Sequence, residues 1–106
     1  MRFELLDYIK YLKEEKKEFV LSDQLLRSGT SIGANVREAI RAQGRKDFVH
    51  KLYIAYKEAG ESEYWLELLV KTDYITESEY ISLNNDCSEL LKLLTSIIKS
   101  TSGEQF

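Results

Sequence analysis

The side chains that most often carry out chemistry are sparse in this 106-residue sequence. His50 is the only histidine, and Asp47 precedes it by three residues, a spacing found at metal sites in helical bundles. A bundle metal site needs two such pairs and further inward-facing carboxylates, and this chain has no second histidine. We therefore predict no metal site, no cofactor and no catalytic residue, and we do not expect an enzyme.

The lone cysteine, Cys87, excludes an internal disulfide and gives no sign of an oxidising compartment. It falls on a helical apolar pattern, and no cation at positions 83, 84, 90 or 91 would lower the pKa of its thiol. Buried cysteine of this kind behaves as a small apolar side chain. We expect Cys87 to be a core residue rather than a nucleophile.

Basic residues concentrate in the middle of the chain. Residues 24–60 carry seven basic and three acidic side chains (+4), residues 1–23 carry −1 and residues 61–106 carry −6, which together give the net charge of −3. A basic patch of this size could bind phosphate with a strong dependence on salt. The alternative is a solvated face with local ion pairs. The candidate nucleic-acid contacts are Arg37, Arg41, Arg45, Lys46 and Lys51.

The stretch from Arg27 to Asn35 holds six small residues inside a helical pattern. Gly29 and Gly33 are one turn apart and would allow another helix to approach closely. A phosphate-cradling loop is the alternative, but no strand precedes the segment and no Gly-Lys-Ser/Thr follows it. We predict helix packing at Gly29, Gly33 and Asn35. If Asn35 is buried, it should bond to the third helix or to a neighbouring subunit; otherwise it faces solvent.

Four aromatic residues flank the apolar stripe of the third predicted helix. Trp65 and Tyr64 are neighbours about 100° apart on a helix, so both cannot point into one core. The strip is either part of a thick core or an oligomer interface, where tyrosine and tryptophan are enriched. The candidate interface residues are Tyr53, Tyr56, Tyr64 and Trp65.

Long helices should position these residues, because proline is absent and glycine occurs only five times. Apolar residues recur at helical spacing over residues 2–17, 23–42, 46–71 and 77–100. In the second helix the stripe is Leu25, Gly29, Ile32, Val36 and Ile40; in the third it is Phe48, Leu52, Ala55, Ala59, Ser62, Leu66 and Leu69; and in the fourth it is Tyr80, Leu83, Cys87, Leu90, Leu94 and Ile97.

Short connections make consecutive helices antiparallel. We predict an all-α fold, an antiparallel up-down-up-down four-helix bundle over residues 1–100, followed by a frayed C-terminal tail over residues 101–106. Ser22 is a candidate N-cap of the second helix, and Thr76 and Glu79 fit a capping box on the fourth. Gly60, in mid-helix, indicates close packing or a bend.

Neither a signal peptide nor an apolar run of roughly 20 residues, enough to span a bilayer, occurs in the sequence. We expect a cytoplasmic protein with no membrane partner.

The segment from Leu26 to Ala39, LRSGTSIGANVREA, resembles the centre of the four-helix-bundle proteins encoded in intervening sequences of bacterial 23S ribosomal RNA genes. Lys46-Asp47-Phe48, followed by Lys51-Leu52, Ile54-Ala55 and Lys57-Glu58-Ala59, is similar to the third helix of that family, and Tyr64-Trp65-Leu66 continues it. The resemblance covers nearly the whole chain.

The resemblance implies a four-helix bundle that assembles as a ring-like homopentamer. It also implies kinship with the accessory variability protein of diversity-generating retroelements, a basic pentamer that contacts nucleic acid and a reverse transcriptase. The family has no assigned catalytic residues. This chain departs from the accessory protein in being acidic overall, so any contact with nucleic acid must rest on the basic middle segment.

Two functions are consistent with these features. The first is a homo-oligomeric adaptor whose basic patch contacts RNA or a ribonucleoprotein partner such as a reverse transcriptase. The second is a structural or protein-interaction module without a nucleic-acid partner.

Overall fold

The structure, a computed structural model, describes residues 3–103, with side chains from Leu5 onward. This part of the chain folds into four α-helices that pack in chain order, α1 on α2, α2 on α3 and α3 on α4. The bundle is 44 Å long and 22 by 18 Å across. The fold is therefore the predicted all-α, antiparallel up-down-up-down four-helix bundle. The helices are α1 Phe3–Glu14, α2 Val20–Ile40, α3 Arg45–Lys71 and α4 Glu77–Ser102.

Side chains fix the starts of α2 and α4. The capping box of α4 is confirmed: Thr76 N–H donates to the Glu79 carboxylate at 2.8 Å, and Glu79 N–H donates to Thr76 Oγ1 at 3.1 Å. The Ser22 cap is wrong, because α2 begins two residues earlier, at Val20. Instead the Glu18 carboxylate accepts from Ser22 N–H at 2.7 Å and from Leu21 N–H at 3.0 Å. A carboxylate is favoured there by the positive pole of the helix.

Two clusters of buried residues form the core. The first contains residues of all four helices, and we call this part of the bundle the four-helix half; its buried members are Leu5, Ile9, Leu12, Leu25, Leu66, Leu69, Ile75, Leu83 and Cys87. The second contains residues of α2, α3 and α4 only, and we call it the three-helix half; its buried members are Ile32, Ala39, Leu52, Ala55, Ala59, Leu94 and Ile98.

The described α1 has 12 residues, against 21 in α2, and none of its residues belongs to the core cluster of the three-helix half. Leu5, near the start of α1, lies beside Gly29, near the middle of α2. Beyond that level, none of the described residues of α1 covers α2. Ile40, predicted to lie on the core stripe, is consequently 77% exposed.

The C-terminal end of α4 extends beyond the predicted boundary. The helix continues through Ser102 and ends at Gly103, which adopts the left-handed conformation common at helix ends (φ 77°). Thr101 and Ser102, assigned by prediction to a tail, thus belong to the bundle, and residues 104–106 lie outside the described part. Gly60 makes no close contact: a Cβ built there would meet no atom within 4 Å.

Candidate nucleic-acid interface

The predicted basic residues lie at one end of the bundle, where α2 turns into α3. Arg37 lies in the last turn of α2 and Arg41 is its C-cap residue. Arg45 and Lys46 are the first two residues of α3. All four side chains are exposed, and we call this set the basic end.

The carboxylates close to the basic end in sequence are occupied by other groups. Glu38 lies 3.8 Å from Lys51 Nζ, so the half-buried fifth candidate is already paired. The Asp47 carboxylate accepts from Gln43 N–H at 3.4 Å, at the start of α3. Within residues 3–103, no ion pair involves a residue of the basic end. These cations are therefore available to an external anion.

The opposite end of the bundle has the opposite charge. The antiparallel arrangement places there the end of α1, the start of α2, the end of α3 and the start of α4. Seven carboxylates there outnumber four lysines (Lys13, Lys16, Lys17 and Lys71), so this end is net acidic and attracts a polyanion less than the basic end does. The acidic residues of that end are Glu14, Glu15, Glu18, Asp23, Asp73, Glu77 and Glu79.

The small residues of α2 form a close seam with its neighbours in the four-helix half. Ser28 and Ser62 are completely buried and their hydroxyl oxygens lie 2.7 Å apart, which joins α2 to α3. Gly29 faces α1, where a Cβ would lie 2.9 Å from Leu5 Cδ2. Gly29 therefore has no room for a side chain unless Leu5 moves.

The other two predicted packing residues do not join helices of this chain. Gly33 is exposed, and a Cβ there would meet no atom within 4 Å, because α1 does not reach this level. Asn35 is half-buried, and its side-chain N–H donates to Ser31 O at 2.9 Å within α2 itself. The expected bond from Asn35 to the third helix does not form within the described part of the chain, since Ser31 satisfies the amide locally.

The aromatic strip divides into two pairs. Tyr56 and Trp65 are half-buried and pack against the core clusters of this chain. Tyr53 and Tyr64 are 45% and 53% exposed. The Tyr53 ring meets Tyr56 edge-on at a centroid distance of 5.8 Å, and the Tyr64 ring lies 5.1 Å from that of Trp65. Tyr56 and Trp65 are therefore part of the core, whereas Tyr53 and Tyr64 lie on the surface.

A polar bridge between α2 and α3 was missed by the sequence reasoning. The Arg27 guanidinium forms ion pairs with Glu58, at 3.2 Å, and with Glu61. The Glu61 carboxylate also accepts from the Trp65 indole N–H at 3.2 Å. Arg27 is thus held by α3 and is not available to the basic end. Arg27 is 31 residues from Glu58 and 34 residues from Glu61 in the sequence. A pairing over this separation cannot be recognised from neighbouring residues.

The sequence and the fold were compared with known protein families and solved structures. The sequence model of the 23S rRNA-intervening sequence proteins matches residues 2–96. The chain belongs to this family. A solved structure from Bacteroides thetaiotaomicron VPI-5482, described as a protein of unknown function from the S23 ribosomal protein family, is 61% identical to this chain. It superposes with a TM-score of 0.90, and the match covers 92% of this chain and 90% of that one. Among curated proteins, none matches the chain.

Cys87 and His50 are the potentially reactive groups of this intervening-sequence protein that lie outside the charged residues. Burial, followed by the nearby Glu63 carboxylate, raises the pKa of the Cys87 thiol to about 12, so the thiol stays protonated at neutral pH. His50 is exposed on α3. No group of three potential metal ligands occurs within the described residues. Nothing in this geometry points to a reaction.

The described helices of this family member include none long and apolar enough to cross a membrane.

Two apolar side chains of its three-helix half are open to solvent: Ile40 of α2 and Leu93 of α4 are 77% and 57% exposed. The apolar periodicity of α2 predicted that Ile40 is buried, and nothing in that pattern indicates its exposure.

Proposed function

We propose that this protein is a non-enzymatic, homo-oligomeric member of the 23S rRNA-intervening sequence protein family that contacts RNA through the basic end. The observation that carries the proposal is the set of four exposed basic side chains, unpaired within the described residues, at one end of an otherwise acidic bundle. Phosphates bound there would displace counterions rather than an existing protein carboxylate.

Binding can be measured by fluorescence anisotropy with a labelled, structured RNA at several salt concentrations. The double variant Arg41→Ala/Arg45→Ala should weaken binding and lower the slope of log affinity against log salt by about 0.7–0.9 for each phosphate that the variant no longer binds. Lys10→Ala/Lys16→Ala removes two exposed lysines far from the basic end and should leave the slope unchanged. Failure of micromolar wild-type protein to bind at low salt contradicts the RNA contact.

Self-association is supported by exposed apolar side chains in the three-helix half. Ile40 and Leu93 expose more than half of their surface, and Gly33 leaves room for a helix to approach. A neighbouring copy would bury this apolar surface, which the hydrophobic effect favours. We propose that the assembly is the homopentamer implied by the family resemblance.

The oligomeric state can be tested by light scattering after size exclusion. Ile40→Ser/Leu93→Ser should dissociate the assembly without loss of helical signal. Leu6→Ser, at a residue 43% exposed in the four-helix half, is the matched control and should leave the mass unchanged. A wild-type protein that is monomeric at micromolar concentration contradicts this part of the proposal.

A protein-interaction module without RNA is the second candidate, favoured by the same exposed apolar side chains and by the net charge of −3. Self-association with no RNA binding at low salt would support it.

A further inference from the structure

The outward face of α3 carries a strip of six residues that continues from the basic end. Their spacing of four, three, four, three and four residues keeps them on one face of the helix. All six are exposed, and none is a carboxylate. We call this set the α3 strip; it consists of Lys46, His50, Tyr53, Lys57, Gly60 and Tyr64.

None of the five carboxylates of α3 belongs to the α3 strip. Glu58 and Glu61 bind Arg27 of α2, and Asp47 accepts from the backbone at the start of the helix. Glu63 lines an open groove against α4, and Glu67 pairs with Lys71 at 2.7 Å. An acidic protein thus presents a strip that carries two lysines, Lys46 and Lys57, and no carboxylate.

Each exposed tyrosine of the α3 strip is supported by a half-buried aromatic ring. Tyr53 lies edge-on to Tyr56, with 82° between the ring planes. Tyr64 leans on Trp65, whose indole N–H is held by Glu61. Rings held in this way lose less side-chain entropy when a flat ligand stacks on them.

Gly60 lies one turn before Tyr64 and leaves open space on the strip, since a Cβ there would meet nothing within 4 Å. A glycine inside a helix is less stable than alanine. No contact with the described residues requires a glycine at this position. The gap gives a flat ligand access to the side of the Tyr64 ring.

We propose that the α3 strip binds single-stranded RNA, with unpaired bases stacked on Tyr53 and Tyr64 and phosphates bound by Lys46 and Lys57. The proposal rests on the proposed function, because Lys46 belongs to both surfaces. Aromatic rings between basic residues are typical of surfaces that bind single strands, since every base has a face that can stack. Duplex bases are already stacked on each other and cannot use the rings.

The strip is about 27 Å long, from 18 residues at 1.5 Å per residue, and the two tyrosines are about 16 Å apart along it. A single strand of several nucleotides can follow this length. A second copy of the chain is a poorer fit as the occupant. In the proposed homopentamer a neighbouring copy is assigned to the apolar side chains Ile40 and Leu93 of the three-helix half, which leaves the polar, cationic α3 strip to RNA.

The test uses the full chain and two labelled RNAs, a 12-nucleotide unstructured oligouridine and a hairpin with a short, closed loop. Tyr53→Ala/Tyr64→Ala should weaken oligouridine binding by at least about 25-fold, about fivefold or more for each ring, and change hairpin binding less than twofold. Oligouridine should also quench the fluorescence of Trp65, the only tryptophan and a direct neighbour of Tyr64.

Two controls separate stacking from folding. Tyr53→Phe/Tyr64→Phe keeps the rings and should retain binding within about threefold. Tyr11→Ala removes a tyrosine that is 40% exposed on α1, and it should have no effect on either RNA. Circular dichroism confirms that each variant keeps its helices.

Unchanged oligouridine binding by the double alanine variant overturns the proposal. Dissociation of the oligomer by that variant also overturns it, because a second copy would then cover the strip. If Arg41→Ala/Arg45→Ala weakens binding of the hairpin while Tyr53→Ala/Tyr64→Ala affects neither RNA, the α3 strip proposal fails and the basic end stands. If wild-type protein binds neither RNA at low salt, both fail.

Discussion

The four-helix half and the three-helix half of the bundle use the same α2, α3 and α4 but differ in what encloses them. In the four-helix half, α1 adds Leu5, Ile9 and Leu12 to a core of large side chains. In the three-helix half, Ala39, Ala55 and Ala59 replace much of that bulk, and Ile40 stays in solvent. Exposed apolar side chains occur in both halves, for example Val20 at 73% in the four-helix half and Ile40 at 77% in the three-helix half. The halves therefore differ in the bulk of their core side chains and in whether α1 contributes to the core.

The strongest test of this difference compares two leucines. Leu12→Ala removes an α1 side chain that is 1% exposed in the four-helix half, and we expect a loss of about 2–5 kcal/mol in the free energy of unfolding. Leu93→Ala, at a side chain 57% exposed in the three-helix half, should change it by less than about 0.5 kcal/mol in the monomer. Urea denaturation at low protein concentration measures both. Equal losses would contradict the different burial of the two side chains.

Two glycines one turn apart give the next largest contrast. Gly29→Leu should displace Leu5 and destabilise the protein by about 1–3 kcal/mol, because the seam with α1 has no free volume. Gly33→Leu meets open space in the single chain and should cause no such loss. Thermal unfolding monitored by circular dichroism gives the comparison. A tolerant Gly29 would mean that α1 is not held against α2.

A smaller effect of opposite sign is expected for Gly33→Ala. Alanine should stabilise the isolated chain by about 0.5–1 kcal/mol, since its helix propensity is higher and its methyl group meets no neighbour. If a second copy approaches at Gly33, the same variant should weaken self-association. Unfolding at nanomolar concentration and sedimentation at micromolar concentration separate the two effects, and a destabilised monomer would contradict the first.

The smallest expected effect concerns Glu63, which lies on α3 between Ala59 of one cluster and Leu66 of the other. Burial, and then repulsion from Glu67, raises the pKa of the Glu63 carboxyl, so folding disfavours its ionised form. This penalty is absent below the ordinary pKa and develops as the pH rises through the raised value. Glu63→Gln should therefore raise the thermal midpoint at pH 7 but not at pH 3. An increase that is the same at both pH values would exclude a charge effect.

Much of the fold follows from periodicity in the sequence. Six of the seven residues of the α3 stripe are buried, and the seventh, Phe48, is half-buried, because α3 lies in the centre of both halves. At the end of α4, Ile98 is buried in place of the predicted Ile97. A strict seven-residue pattern drifts from a helix of 3.6 residues per turn, which explains the difference.

The candidate sites were less predictable. Sequence position brought Arg37, Arg41, Arg45 and Lys46 to one hairpin end, since a hairpin joins neighbouring segments. It could not assign Glu38 to Lys51 or separate exposed Tyr53 from half-buried Tyr56. Those outcomes depend on the relative rotation of helices and on where α1 stops, neither of which has a local sequence signal.

The buried hydroxyl pair of Ser28 and Ser62 has a mechanical consequence. Sliding α2 along α3 by one turn would separate the two oxygens by about 5.4 Å and break the bond between the helices. Each hydroxyl would keep only the bond to its own helix, from Ser28 to Leu25 O at 3.3 Å and from Ser62 to Glu58 O at 3.0 Å. The pair therefore favours one axial position of α2 relative to α3. A fixed register also fixes the distance between the arginines at the end of α2 and the basic residues at the start of α3. RNA phosphates bound at the basic end would have to match that distance.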